Sequence, residues 1–264
     1  MADYVSVARE AARQAGAYLL KNRGKISQDV VDEKARNDFV TYVDRTSEQM
    51  IIEHLRSAFP SHKILAEEGT AQDTEADYRW IIDPLDGTKN FIQDVPMFAI
   101  SIALQKGSEI VVGVIYHPAN DEMFTAEKGS GAFLNGTPIR VSQRPFSQSL
   151  IATGFPFRAK RNLPSYLLAF EDIFLQCSGM RRCGSAALDL AYTAAGRFEG
   201  FWEIGLSIWD VAAGSLLVQE AGGVVSDFWG GNRYLKTGYI VAGNADSHTR
   251  LVKTLGYYFP HAKD

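Results

Sequence analysis

Cysteine is scarce in this sequence, because only Cys177 and Cys183 occur among its 264 residues. With no second pair nearby they do not complete a zinc site, and a disulfide framework is not expected. We predict that both thiols are reduced and lie in the core or at an interface. Long apolar runs are also absent, since no segment approaches the roughly 20 residues of a membrane span. Membrane association is therefore not expected.

The N-terminal segment also lacks the unbroken apolar stretch that a secretory signal peptide needs. Its first twenty residues are interrupted by four charged side chains, namely Asp3, Arg9, Glu10 and Arg13. We therefore expect a cytoplasmic protein.

Charge of one sign is nowhere concentrated, since 27 Lys and Arg stand against 31 Asp and Glu, for a net charge of -4. Binding to a phosphate backbone needs a dense basic surface, so nucleic acid is not an expected partner. The candidate basic groups are Arg158, Lys160 and Arg161, together with Arg181 and Arg182. We interpret the first three as solvated surface charge.

A hydrophobic content of 46% allows a sizeable core. Apolar spacing predicts a helix over 4–20 and another that begins near Asp44 and ends at Pro60. Short apolar runs from Tyr78 to Thr125, separated by turn residues, indicate an antiparallel sheet. Beyond about residue 145 helices and strands alternate. The predicted helices are 163–176, 185–196, 208–221 and one from 246; the predicted strands are 199–204, 223–227 and 238–242.

We predict a single domain over 1–264, with an α+β lobe at about 1–145 and an α/β lobe at about 146–264. No low-complexity linker separates the two lobes. They are therefore expected to share one cleft.

The segment WIIDPLDGTKNF, residues 80–91, carries an apolar strand into a turn with two carboxylates. A strand end followed by Pro84 and Gly87 can bring Asp83, Asp86 and a main-chain carbonyl around one point, and Mg²⁺ prefers such oxygen ligands. Ordinary turn chemistry explains the same residues equally well. A calcium-binding hand is excluded by the spacing. An aspartyl-phosphate enzyme is also not expected, because its two Asp residues are separated by one residue rather than two.

Further acidic residues lie at element ends elsewhere in the chain. Glu67 and Glu68 follow the apolar strand that ends at Ala66, and only one of them can point inward because neighbouring strand residues alternate faces. Asp44 and Asp210 each stand where a helix cap is expected. A cap carboxylate that faces a cleft is also a metal ligand.

The blocks AEEG, WIIDPLDGTKNF, GSAALDLAYTAAGRFEGFWEIG and IWDVAAG resemble the inositol monophosphatase family, particularly its bacterial members, over nearly the whole chain. The resemblance implies an α/β/α/β/α layered sandwich, a homodimer, sensitivity to lithium, and dependence on two or three Mg²⁺ ions. It implies that the metal ligands are Glu67, Asp83, the carbonyl of Leu85, Asp86 and Asp210. Glu68 receives no ligand role.

The same resemblance implies that Thr88 and Asp44 orient the attacking water, and that Glu67 also holds a third, weaker ion through water. These three are the expected catalytic residues. The expected substrate contacts are Asp86, Gly87, Thr88, Arg181, Gly184, Ser185, Ala186, Glu203 and Asp210. For Arg182 a subunit contact fits equally well. Backbone groups at Gly87 and Thr88 donate to phosphate if the turn opens a helix.

The function this implies is Mg²⁺-dependent hydrolysis of a small phosphate monoester by metal-activated water, without a covalent phosphoenzyme. Inositol-1-phosphate ranks first, because Glu203 and the GSAA turn suit a polyol. Fructose-1,6-bisphosphate, histidinol phosphate and nucleotide 3'-phosphates remain alternatives on the same metal core. An alternative of another class is a regulatory binding protein that acts through a dimer surface near Arg181 to Cys183.

Overall fold

The computed structural model of the chain describes residues 3–25, 31–35, 38–69 and 76–260, with side chains described outside 31–41. Within these ranges the helices are α1 (Tyr4–Asn22), α2 (Tyr42–Ala58), α3 (Thr88–Ile92), α4 (Leu163–Gln176), α5 (Ala186–Ala194), α6 (Ile208–Glu220), α7 (Tyr234–Thr237) and α8 (Ala245–Tyr258). Short 3-10 turns lie at Pro118–Asn120, Phe146–Gln148 and Lys160–Asn162.

The strands form three sheets. They are β1 (Val31–Ala35), β2 (Asp38–Thr41), β3 (Lys63–Ala66), β4 (Tyr78–Asp86), β5 (Ala99–Lys106), β6 (Glu109–His117), β7 (Glu122–Glu127), β8 (Gly131–Leu134), β9 (Thr137–Ile139), β10 (Leu150–Thr153), β11 (Gly179–Arg181), β12 (Gly200–Ile204), β13 (Val224–Ser226) and β14 (Tyr239–Gly243).

The larger sheet has seven strands in the order β3-β4-β5-β6-β7-β8-β9. The antiparallel sheet expected from Tyr78 onward is present, and β3 adds one parallel pairing at its edge. Helices α1 and α2 cover one face of this sheet. On α1 the buried positions Ala8, Ala12, Ala15 and Leu19 recur at helical spacing, and their small side chains allow close packing.

The second sheet has five strands in the order β11-β10-β12-β14-β13, with parallel and antiparallel pairs. Helices α5 and α6 lie between the two sheets, while α4 and α8 cover the outer face of the second. Three apolar clusters fill the spaces between these layers. The predicted α/β/α/β/α layered sandwich is therefore confirmed, and the chain passes from one sheet to the other between Ile139 and Leu150.

Most predicted elements are present with ends shifted by a few residues, and α4 has the predicted bounds. The β1-β2 hairpin was not predicted from the sequence. Strands β8 to β11 were also not predicted. Each has at most four residues, too few for a clear alternation of apolar and polar side chains.

Within the described ranges, no helix combines the length and the apolar character needed to cross a membrane. Cys177 and Cys183 are both free thiols and both partly buried, as expected from their isolation in the sequence.

Candidate functional site

A β-bulge at the end of β4 brings two carboxylates to the same place. Asp83 pairs with Ser101 of β5, and Asp86 pairs with Ala99. The two residues between them on β4 therefore lie opposite a single residue of β5. In a regular strand, positions three apart face opposite sides of the sheet. The extra residue removes that alternation, and Pro84 suits the bulge because it has no N–H to donate to the ladder.

The turn after the bulge is fixed by one hydrogen bond within it and one from α2. The Leu85 N–H donates to Asp83 Oδ1 at 3.0 Å, and Ser47 of α2 donates to the Pro84 carbonyl at 2.9 Å. Gly87 follows with φ of 91°, and a Cβ there would lie 2.7 Å from the Met97 carbonyl oxygen. Glycine accommodates both the positive φ and the close Met97 carbonyl. Gly87 therefore allows the chain to turn after Asp86 and to begin α3 at Thr88.

Thr88, the first residue of α3, connects this turn to α2. Its Oγ1 lies 3.0 Å from Asp44 Oδ1 and 3.0 Å from the Leu85 carbonyl oxygen. A hydroxyl donates only one hydrogen bond, so its lone pairs remain available to accept from a further donor. Asp44 is buried within the first turn of α2 rather than standing at the cap position expected from the sequence.

Asp83, Asp86 and Asp210 converge although Asp210 is far away in sequence. One carboxylate oxygen from each lies within 4.8 Å of the other two. Asp210 is in the first turn of α6, where its Oδ2 accepts the Ser207 N–H at 2.6 Å, so it completes a capping box rather than forming the cap itself. Glu67 is outside this group of three but lines the same cavity of about 160 Å³.

The Glu67 turn is held in place by α2. The N–H of Glu68 donates to the buried Glu48 at 2.8 Å, and the N–H of Glu67 donates to the Ile82 carbonyl at 3.2 Å. The acidic pair at this strand end is therefore anchored through its backbone.

Burial and mutual repulsion disfavour the ionised forms of these carboxyls. Burial, followed by the negative charges of Glu67, Asp86 and Asp210, raises the pKa of Asp83 well above its usual range. Burial also raises the pKa of Asp86 to about 6, although hydrogen bonds from Ser185 and Ala187 oppose the rise. A cation between the carboxylates would remove this cost, because opposite charge favours the ionised form.

The donor set fits a hard divalent cation. Carboxylate oxygens from three Asp residues lie close enough to share one ion, and Leu85 lines the same cavity. Among the described residues, no His or Cys joins this group, which excludes the nitrogen and sulfur ligand sets typical of zinc sites. We refer to Glu67, Asp83, Asp86 and Asp210 as the carboxylate side of the cleft.

The opposite wall is connected to the carboxylate side through Asp86. Its Oδ2 accepts the Ser185 hydroxyl at 2.6 Å and the Ala187 N–H at 2.7 Å. Ser185 caps α5, and its Oγ also accepts the Leu188 N–H at 3.3 Å. The GSAA turn is therefore placed against Asp86 by the start of α5, and Ala186 lines a second cavity of about 120 Å³ beside it.

Glu203 of β12 faces both cavities, as the sequence led us to expect for a substrate contact. Burial, followed by the charges of Asp189 and Asp210, raises its pKa well above the usual range. A Cβ on Gly154 would overlap the Glu203 carboxylate, so the glycine provides the space that this side chain occupies. We refer to Gly154, Gly184, Asp189 and Glu203 as the Glu203 side of the cleft.

Arg181 and Arg182 differ in their position relative to the cleft. Arg181 lines neither cavity, and its Nη1 donates to the Met180 carbonyl at 2.9 Å, whereas Arg182 lines both cavities. The structure therefore places Arg182 rather than Arg181 at the cleft, and the substrate contact expected of Arg181 stays a prediction. Arg182 is held over the rings of Phe155 and Phe157, at 5.5 and 5.4 Å from their centroids.

Arg158 was misjudged as solvated surface charge. Its Nη2 lies 3.6 Å from Glu67 Oε1, and its Nη1 lies 3.4 Å from Asp210 Oδ2. The sequence signal was weak, because Arg158 shares a loop with Lys160 and Arg161. Only the position of that loop, directly after a strand of the sheet that borders the cleft, indicates its role.

Comparison with known proteins agrees with this geometry. The sequence matches the model of the inositol monophosphatase family over residues 1–257. The Escherichia coli (strain K12) protein named Nus factor SuhB is 48% identical over 257 residues, which cover 97% of this chain and 95% of that protein. The Mesorhizobium japonicum protein named inositol-1-monophosphatase is 44% identical over 253 residues, or 95% of each chain.

A solved structure is similar along nearly the whole fold. The crystal structure of extragenic suppressor protein suhB from Bartonella henselae superimposes with a TM-score of 0.91 at 45% identity, covering 95% of this chain and 97% of that one. Sequence and fold therefore point to the same family.

Proposed function

Because the chain belongs to the inositol monophosphatase family, we propose that it hydrolyses a small phosphate monoester with the help of Mg²⁺, and that inositol-1-phosphate is its preferred substrate. The relative from Mesorhizobium japonicum carries the name of that activity. The family supports a phosphatase; the substrate and the residue roles are our proposal.

Asp83, Asp86 and Asp210 would hold the metal ions, with the Leu85 carbonyl and Glu67 completing the set of two or three ions. Once bound, Mg²⁺ supplies positive charge that lowers the pKa of a water molecule and offsets the charge of the phosphate. The carboxylates contribute by remaining ionised at neutral pH when a cation is present.

Thr88 and Asp44 would orient the attacking water. The Thr88 hydroxyl donates to Asp44 Oδ1 at 3.0 Å, which leaves Thr88 Oγ1 able to accept a hydrogen bond from that water. Asp44 is buried, so its carboxylate holds the hydroxyl in one orientation. The backbone at Gly87 and Thr88, where α3 begins, faces the cavity and would donate to phosphate oxygens.

The alcohol part of the substrate would bind against Gly184, Ser185 and Ala186, with Glu203 accepting a hydrogen bond from a hydroxyl. Arg182 replaces Arg181 as the arginine that we assign to the substrate side, because it lines the cleft. Several polar groups converge on a small space, which suits a polyol better than an apolar alcohol.

One observation carries this proposal, namely that carboxylates from β4 and α6 meet within 4.8 Å beside the Thr88–Asp44 pair. The test is phosphate release from inositol-1-phosphate with Mg²⁺ and with EDTA, for the wild type and for Asp83→Asn. We expect activity to require Mg²⁺ and to fall by about a thousandfold or more in the variant. Asp77→Asn, an exposed position just before β4, is the matched control. Full activity in EDTA or in Asp83→Asn would refute the proposal.

Substrate choice is tested by comparing kcat/KM for inositol-1-phosphate, fructose-1,6-bisphosphate, histidinol phosphate and a nucleotide 3'-phosphate. We expect the highest value for inositol-1-phosphate. A clearly higher kcat/KM for another of the four would leave the proposed metal chemistry in place and would replace inositol-1-phosphate as the proposed substrate.

We also propose a cytoplasmic homodimer. Helix α4 exposes a row of large apolar side chains, and exposed apolar patches of this kind often mark subunit contacts. They are Leu163, Leu167, Leu168, Phe174 and Leu175. A second copy that covers this face accounts for side chains such as Leu175, which is 74% exposed. Light scattering should give a dimer for the wild type and a monomer for Leu167→Glu combined with Leu175→Glu.

A second candidate is a binding or regulatory role, because the Escherichia coli relative is named a Nus factor. The two roles are separable, since binding through an outer surface does not require hydrolysis. A cellular function that survives in Asp83→Asn would favour the binding role. Loss of that function together with hydrolysis would favour the enzyme.

A further inference from the structure

Asp189 is a buried acid that the proposed mechanism does not use. It lies in α5 and is 1% exposed. The thiol of Cys183 is beside its carboxyl group, yet Asp189 Oδ1 has no hydrogen-bond partner among the described residues. Buried carboxyl oxygens are normally hydrogen-bonded, so an unpartnered one requires an explanation.

The surroundings of Asp189 are those of a binding pocket. It lines the cavity of about 120 Å³ that also borders Asp86, Gly184 and Glu203. Asp86, Gly184 and Glu203 also line the larger cavity, so this space continues that cavity and has room for water molecules or substrate hydroxyls. The cavity is therefore suited to receive the edge of a substrate whose phosphate lies on the carboxylate side.

Asp189 and Glu203 influence each other. Burial raises the pKa of Asp189 well above its usual range, while the Cys183 thiol opposes the rise. The charge of Asp189 likewise contributes to the raised pKa of Glu203. The raised pKa values favour the neutral form of each carboxyl, and a neutral carboxyl both donates and accepts. A hydroxyl group, which also donates and accepts, complements such a pair.

We propose that Asp189 is a specificity-determining residue whose Oδ1 binds a hydroxyl of the substrate's alcohol, next to the hydroxyl bound by Glu203. This inference rests on the proposed phosphatase function and narrows it to phosphates of polyols that carry neighbouring free hydroxyls. A site built to hydrogen-bond a hydroxyl discriminates against substrates that lack it, because its buried polar groups are then left unpaired.

The test uses Asp189→Leu, an apolar residue of similar shape, and Asp189→Asn, which can still donate and accept. For each, kcat/KM is measured with inositol-1-phosphate and with phenyl phosphate, which has no hydroxyl on its alcohol part. We expect Asp189→Leu to lower the ratio of the two values by about tenfold or more, chiefly through KM for inositol-1-phosphate. Asp189→Asn should keep the ratio within about threefold of the wild type.

Thermal unfolding separates this role from a structural one. Asp189→Leu removes the unpartnered Oδ1 together with the contact to the Cys183 thiol, which is only a weak donor, so the variant should unfold at the same or a higher temperature. Ser215→Ala is the matched control, because Ser215 is a buried polar residue of α6 that donates to the Ala212 carbonyl at 2.9 Å and lines neither cavity.

An unchanged ratio in Asp189→Leu would overturn the inference while leaving the phosphatase function intact. So would a variant that fails to fold, because the carboxyl would then be structural. Wild-type protein that hydrolyses neither substrate would overturn the proposed function and this inference together.

Discussion

The two sides of the cleft use buried acids in different ways. On the carboxylate side, Asp83, Asp86 and Asp210 lie within 4.8 Å of one another and repel unless a cation is present. On the Glu203 side, Asp189 and Glu203 line a small cavity, and Gly154 leaves the space that the Glu203 carboxyl occupies. Burial is the first cause of the raised pKa on both sides.

The difference lies in how the cost of that burial is offset. Three converging carboxylates suit a divalent ion, whereas two separate carboxyls beside a small cavity suit hydroxyl groups. The first side should therefore control the rate of hydrolysis, and the second should control which alcohol is accepted. The following experiments test that division of roles.

Thr88→Val should give the largest effect and confine it to the rate. The variant keeps the shape of Thr88 but loses the hydroxyl that bonds to Asp44 Oδ1. We expect kcat to fall by about 100-fold to 1,000-fold, with KM within about threefold of the wild type. Thr88→Ser, which retains the hydroxyl, should recover most of the activity in steady-state assays. A change in KM alone would contradict the assignment of Thr88 to the rate.

Gly154→Ala should affect the other side of the cleft. The new Cβ would overlap the Glu203 carboxylate, so that side chain must move. We expect KM for inositol-1-phosphate to rise by about tenfold, the scale of one lost hydrogen bond, with a smaller change in kcat. Gly179→Ala in β11 is the control for adding a methyl group to the same sheet. A loss confined to kcat would break the division of roles.

Arg158→Ala should strengthen metal binding. The guanidinium of Arg158 contacts Glu67 and Asp210, two of the proposed ligands, and must give way when a cation binds them. Arg158 is partly exposed, so each ion pair is weak, and we expect Mg²⁺ to bind about fivefold more tightly by calorimetry. Arg161→Ala, in the same loop but outside the cleft, should leave the affinity unchanged. Weaker binding in Arg158→Ala would show that Arg158 supports the metal site.

Metal-free protein should lose stability as the pH rises. Burial raises the pKa of Asp86 from 3.8 to about 6, and that of Asp83 also rises. A carboxyl with a higher pKa in the folded state stabilises the fold below its unfolded pKa, and this contribution is lost as the pH passes the folded value. We expect the free energy of unfolding, measured with urea in EDTA, to decline from about pH 4 through 6.

Addition of Mg²⁺ should remove most of this decline, because the cation stabilises the ionised carboxylates. A flat pH profile in EDTA would contradict the repulsion that we assign to the carboxylate side. An Asp86→Asn variant should show a shallower decline, since one of the titrating groups is gone.

Much of the fold was predictable from the sequence because its longer elements carry clear apolar periodicity. Helices α1 and α2 and strands β4 to β7 follow from spacing alone. The sheet order does not, because pairings such as β10 with β12 join segments whose separation in sequence gives no register. The division into one domain with two lobes at about residue 145 stays a prediction.

Within the site, predictability depended on how each residue is positioned. Asp83, Asp86 and Thr88 belong to one continuous motif, and the structure brings them together with Asp210 and Glu67 at one cavity. Arg158 and Asp189 carry no local signal, because a loop arginine and a helix aspartate are ordinary in sequence. Only the tertiary arrangement, which sets their burial and neighbours, distinguishes them from surface charge.

Asp86 belongs to both sides of the cleft through its hydrogen bonds from Ser185 and Ala187. A cation that withdraws electron density from this carboxylate must alter those bonds, and a substrate that shifts the start of α5 must alter the carboxylate in return. Thermodynamic reciprocity then requires each ligand to change the affinity of the other by the same factor. The affinity of the cation or of the substrate, measured alone, will therefore differ from its affinity in the ternary complex. The order in which the two are added will not affect the final state.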